Sequence, residues 1–126
     1  MKLRLEHGLL FVDAQLVFRG SALQMRQVIL DTGSAGSIFS ADRLSEIGLQ
    51  YEPNDRVHRI HGVGGSEFVF TKHVASLAIA ELSLTDFEIE VGAMDYGFIF
   101  DGIIGVDFLV RVGAVIDMQA LELSAG

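Results

Sequence analysis

The run Val28-Ile29-Leu30-Asp31-Thr32-Gly33-Ser34 constrains this chain more than any other segment. Three apolar residues, two of them β-branched, point to a buried strand, because branched side chains pack well on a pleated surface. That strand delivers an aspartate to its end, and a Thr-Gly-Ser turn follows at once. Folding accounts for the apolar residues but not for the aspartate. A carboxylate held there by backbone N–H groups and neighbouring hydroxyls suits acid–base chemistry on water. The tetrapeptide is also a good turn, since Asp and Ser bond their own backbone and Gly supplies positive φ. The rest of the chain has to decide between the two.

That rest reads as β nearly throughout. Leu9 to Phe18 is rich in strand formers, Arg19-Gly20-Ser21 closes it as a turn, and Leu23 to Leu30 returns toward Asp31. Ser37-Ile38-Phe39 is a short strand. Ser40 is placed to cap a short helix over Ala41 to Ile47, with Gly48 to end it. Tyr51 to Asp55, with Pro53-Asn54-Asp55, marks a loop. Arg56 to His61 and Glu67 to His73 flank Gly62-Val63-Gly64-Gly65 as a hairpin with a glycine-rich tip. Ser76 to Ala80 and Phe87 to Val91 are expected as two further strands; the second alternates Phe87, Ile89 and Val91 with Glu88 and Glu90. Asp107 to Val110 is expected as one helical turn, and Gly113 to Asp117 and Leu121 to Leu123 as closing strands.

Length and charge narrow the function. A chain of 126 residues builds one core, so residues 1–126 are expected to form a single domain. Seventeen acidic against nine basic residues give a net charge of −8, which opposes a phosphate backbone and argues against nucleic acid as a partner. Without cysteine there is no thiolate nucleophile, no disulfide and no Cys-based metal site. His58 and His61 are spaced like ligands, and His7 and His73 also exist, but no third partner groups with them; neither a metal nor a cofactor is expected. Residues 1–20 lack the pattern of a signal peptide. The apolar stretch from Val91 to Met118 is interrupted by Asp95, Asp101, Asp107, Arg111 and Asp117, so no membrane insertion is expected and a cytoplasmic location is.

Three segments, in this order, resemble the retropepsin-like aspartic protease family, the single-domain relatives of pepsin. Leu30-Asp31-Thr32-Gly33-Ser34 is similar to the catalytic loop. Ile60-His61-Gly62-Val63-Gly64-Gly65 is similar to the flap hairpin. Phe100-Asp101-Gly102-Ile103-Ile104-Gly105, continued by Val106-Asp107-Phe108-Leu109, is similar to the apolar-apolar-Gly element that threads beside the loop. The flap lacks the tyrosine of pepsin, as the single-domain relatives do. The resemblance implies an all-β, retropepsin-like acid protease barrel with a flap hairpin and one or two short helices.

It also implies a role for each matching residue. Asp31 would activate water, Thr32 would bond across to a second subunit, and Gly33 would let the backbone approach the carboxylates and donate an N–H. Ser34 would bond the outer carboxylate oxygen or cap the turn. Gly62, Val63, Gly64 and Gly65 would close over an extended peptide. Ile103 and Ile104 would line subsites or pack the core. Asp101 is assigned a structural role.

Because the chain carries one Asp-Thr-Gly where pepsin-like chains carry two, the resemblance implies a homodimer acting on a peptide or protein substrate. The terminal strands Lys2 to Glu6 and Leu121 to Leu123 would interleave at its interface. The competing reading is a non-catalytic module of the same fold that binds an extended peptide or dimerises a larger protein.

Overall fold

Two hairpins with two-residue loops begin the chain. In the computed structural model β1 (Arg4–Glu6), β2 (Leu9–Phe18) and β3 (Ser21–Leu30) follow one another antiparallel. The loops His7-Gly8 and Arg19-Gly20 have positive φ at both positions, the turn geometry that matches the twist of paired strands. Residues 1–62, 65–94 and 100–126 are described here, with their side chains except those of 61, 62, 65 and 66.

The chain then forms β4 (Ile38–Ser40) and α1 (Ala41–Ser45), where Ser40 Oγ accepts the Arg43 N–H at 3.4 Å. Gly48 N–H donates to Ser45 O and Leu49 N–H to Leu44 O, a Schellman pairing that ends the helix where Gly48 was expected to. β5 (Val57–Gly62) and β6 (Gly65–Ile79) form the expected glycine-tipped hairpin, closed by the pair Gly62–Gly65; residues 63 and 64 lie outside the described part. Then come β7 (Leu82–Gly92), β8 (Gly102–Ile104), α2 (Val106–Arg111), β9 (Ala114–Asp117) and β10 (Glu122–Ala125). The class is all-β, with two short helices among the described residues.

Two expectations change. Ser76 to Ala80 is no separate strand: β6 runs unbroken for 15 residues and takes in Ser76 to Ile79, with Ala80 in the turn beyond it. Phe87 to Val91 is the far half of β7, which begins at Leu82. Ile79 pairs with Leu82 around Ala80-Glu81, and Ala80 takes φ 52 without being Gly or Asn. The pairing of the two long strands imposes that turn on residues that do not announce it.

Eight strands join in the order β1-β2-β3-β8-β4-β7-β6-β5, and an added β2–β6 pairing curls the sheet back on itself. β9 and β10 form a separate hairpin. The terminal segments meet each other within the one chain: Leu3 N–H donates to Leu121 O, and Leu123 N–H to Met1 O. The main core gathers Leu16, Met25, Phe39, Leu77, Phe87, Ile104 and Phe108, with Phe87 and Phe108 edge to face at 5.8 Å. A second cluster of Phe11, Ile29, Ile38, Val69, Met94 and Phe100 carries the half-buried Leu9, Ile60 and Ile103. No helix among the described residues is long and apolar enough to cross a membrane.

One buried cation braces the Pro53 loop. Lys72 Nζ, from β6, donates to Glu52 Oε1 at 2.5 Å and lies 2.8 Å from Asp55 Oδ2. Hydrogen bonds from Lys72 and then Arg19 hold the Glu52 carboxyl below its ordinary value. Burial works to lower the Lys72 pKa, but the two carboxylates outweigh it and the net direction is upward. The contribution of Glu52 is therefore present above the ordinary carboxylate range and lost as pH falls through its lowered folded value. Lys72 gives support that is lost only as pH rises above the ordinary lysine value. Urea unfolding of Lys72→Met is expected to show a shallower loss of stability than wild type from about pH 5 toward about pH 3. Identical slopes would remove this brace from the account.

Candidate active site

β8 lies between β3 and β4, and that placement builds the site. It pairs parallel with β3, Leu30 opposite Ile104, and antiparallel with β4, Ile38 opposite Ile103. The loop 31–37 must therefore leave β3, pass over the end of β8 and return as β4. Gly105 stands directly beneath it. A Cβ on Gly105 would lie 2.5 Å from both Ser34 O and Gly36 O, so no other residue fits without moving the loop. Gly102 is similarly confined, its Cβ position 2.3 Å from the ring of Phe39.

The segment after β8 fastens the loop along its length. Asp31 N–H donates to Ile104 O at 3.0 Å, and Val106 N–H donates to Ser34 O at 2.9 Å. Asp31 sits half-buried at the head of the loop, and its Oδ1 accepts the Gly33 N–H at 2.9 Å. Thr32 and Gly33 are exposed beside it. The Ser34 hydroxyl donates to Gly36 O at 2.7 Å, within the turn. A carboxylate oriented by a backbone donor and open to solvent can exchange protons with water or a bound ligand.

The remaining expected residues are spread around this loop. Gly62 and Gly65 close the β5–β6 hairpin; Val63 and Gly64 lie outside the described residues. Ile103 is half-buried in the second apolar cluster with Ile60 of β5. Ile104 is fully buried in the main core, because its side chain points to the opposite face of β8, so it offers no surface to a ligand. Asp101, 5% exposed, is structural: it accepts the Arg26 and Gln27 N–H groups and pairs with Arg43 at 2.7 Å. It braces β3 just ahead of the site.

Two polar residues were not singled out by the sequence. Ser37, read only as the start of a strand, is 1% exposed and donates its hydroxyl to Asp107 Oδ1 at 2.8 Å. Asp107, read as part of a helical turn, also receives the Ser37 N–H. Their signal was faint: an acid in a first helical turn and a serine after a glycine.

The sequence model of a family described as aspartyl protease matches residues 15–108. A search of curated proteins finds no match. Among solved structures, the fold is similar to a retropepsin-like aspartic protease from Rickettsia conorii, with a TM-score of 0.68 at 16% identity, covering 96% of this chain and 93% of that one. With the family model running from within the hairpin before Asp31 through the loop to the β8 segment, the chain belongs to the aspartyl protease family and has the retropepsin-like fold.

Proposed function

We propose that residues 1–126 act as one aspartic endopeptidase domain, and that two copies supply one active site at a two-fold axis. The observation that carries this reading is a solvent-facing Asp31, oriented by the Gly33 N–H, in a chain with a single Asp-Thr-Gly. An isologous contact would bring Asp31 against Asp31 of the second copy, with the exposed Thr32 bonding across.

Two carboxylates at that distance resist ionising together, so their titrations split and belong to the pair. The ionised member takes a proton from water as the water attacks the scissile carbonyl carbon. The protonated member gives its proton to the carbonyl oxygen. Collapse of the resulting diol breaks the C–N bond, and the departing nitrogen takes up a proton. No cofactor enters. The peptide lies extended, pairing with the Gly33 region and with the hairpin tip at Gly62, Val63, Gly64 and Gly65, which excludes water when closed. Ile103, with Leu9 and Ile60, offers apolar subsite surface. The net charge of −8 favours neutral or basic substrates.

The test is cleavage of an unbiased peptide mixture from mildly acidic to neutral pH, read by mass spectrometry at several protein concentrations. Internal cuts are expected, at a rate per chain that rises with concentration until dimerisation saturates. An absence of cuts from a sample shown to be dimeric would overturn the catalytic reading.

A further inference from the structure

We infer that Ser37 and Asp107 are positioning residues for the Asp31 loop, an assignment that rests on the protease reading above. Three ties on this loop go to the segment 104–107, and a fourth runs from the Glu90 N–H of β7 to Ser37 O at 2.9 Å. Asp31 and Ser34 are held by backbone bonds, which most side chains would permit. The third tie to that segment, at the far end of the loop beside the Glu90 bond, is made by side chains and so depends on residue type.

Its geometry is fully determined. Gly105 N–H donates to Ser37 Oγ at 3.1 Å, so the hydroxyl proton is directed to Asp107 Oδ1 at 2.8 Å. Ser37 N–H donates to Asp107 Oδ2 at 3.2 Å, and Phe108 N–H to Asp107 Oδ1 at 2.9 Å. Both carboxylate oxygens are engaged, three donors converge on them, and the serine both gives and receives. Seventy positions of sequence separate the partners.

The position of this relay explains its use. Asp101 fixes β3 ahead of Asp31 by gripping the Arg26 and Gln27 N–H groups. Asp107 fixes the return of the chain into β4. The aspartate between them is thus clamped from both sides. Without the Ser37 hydroxyl the loop keeps its backbone ties, the Glu90 bond included. It loses the side chain that joins Gly105 and Asp107 to it, so the stretch between Ser34 and Ser37 is held less tightly. Displacements of about 1 Å at a reacting group cost on the order of a hundredfold in rate. Neither Ser37 nor Asp107 touches the substrate in this scheme; both act through the loop.

Three variants test it: Ser37→Ala removes the hydroxyl, Ser37→Thr keeps it, and Asp107→Asn presents an N–H₂ group where a carboxylate oxygen now accepts. On a peptide cut by wild type, Ser37→Ala and Asp107→Asn are expected to lower kcat roughly tenfold to a hundredfold with KM within about twofold, while Ser37→Thr recovers most of kcat. A role in stability alone would reduce the active fraction without this rescue pattern and would loosen the whole molecule. Amide hydrogen exchange separates the two: in Ser37→Ala the Ser34 and Val106 amides should exchange at least about tenfold faster, with Leu77 and Ile89 unchanged. An unaltered kcat in Ser37→Ala, or faster exchange everywhere, overturns the assignment. If wild type cuts no peptide, the protease reading falls separately. The exchange experiment then decides alone, and unaltered loop amides overturn the clamp.

Discussion

Wild-type chains mixed with a roughly threefold excess of Asp31→Asn chains are expected to retain about a quarter of the cleavage they perform alone, as random two-fold pairing dictates. Most wild-type chains would then sit opposite an asparagine, and a dyad with one carboxylate cannot both accept and donate the proton that hydrolysis requires. Asp31→Asn by itself should show no internal cuts, with a loss of at least about a thousandfold. Asparagine keeps the shape of the side chain and an oxygen for the Gly33 N–H, so the fold should survive; a far-UV spectrum and unfolding midpoint close to wild type would establish that. The mixing experiment is the sharper of the two because a site built from one chain makes a different prediction. In that case the wild-type contribution would be unchanged by any excess of mutant. Peptide turnover measured after subunit exchange decides between them.

Gly105→Ala is expected to be a severely damaging single-methyl addition. Its Cβ would meet two backbone carbonyl oxygens at 2.5 Å, and neither can swing aside as a side chain would. Relief requires the loop to lift off β8, which breaks the Asp31–Ile104 and Val106–Ser34 bonds together. A cost of about 3 kcal/mol is expected, a large share of the stability of a small domain. Gly113→Ala is the natural comparison. Gly113 has φ +65 with nothing within 4 Å, so it suffers only the backbone penalty, about 1 kcal/mol. Urea unfolding of both variants should rank them in that order. Equal costs would mean that the loop does not rest on Gly105.

What could be read from the sequence was local, and what could not be read was distant. Leu9 to Phe18 with Arg19-Gly20 announces a hairpin because strand formers flank residues that accept positive φ. Ser40 and Gly48 bracket a helix because capping chemistry sits within a few positions. Asp31 is legible because an acid ending a buried strand has no folding explanation, and the Gly-rich hairpin and the Ile-Ile-Gly segment supply its context.

The β6–β7 turn at Ala80-Glu81 was hidden, since its positive φ is imposed by strand pairing on residues without a turn preference. The pairing of Ser37 with Asp107 was hidden for a different reason: neither residue is unusual where it stands, and only the fold brings them together. Ile103 and Ile104 looked alike in sequence and part company in the structure, because adjacent strand residues face opposite ways.

The threading of β8 between β3 and β4 also sets an order of events during synthesis. Asp101 reaches back 74 positions to Gln27, and the parallel pairing of Val28 with Gly102 spans a similar distance. Such contacts form late, since a long stretch of chain must be closed before any of them is rewarded. A nascent chain that has emerged only as far as β7 already contains the whole Asp31 loop, yet none of the residues 104–107 that hold it. Rigidity at Asp31 thus arrives only after α2 has been made. The loop around Asp31 is therefore fixed only once residues 104–107 have joined the fold, a delay written into the topology itself.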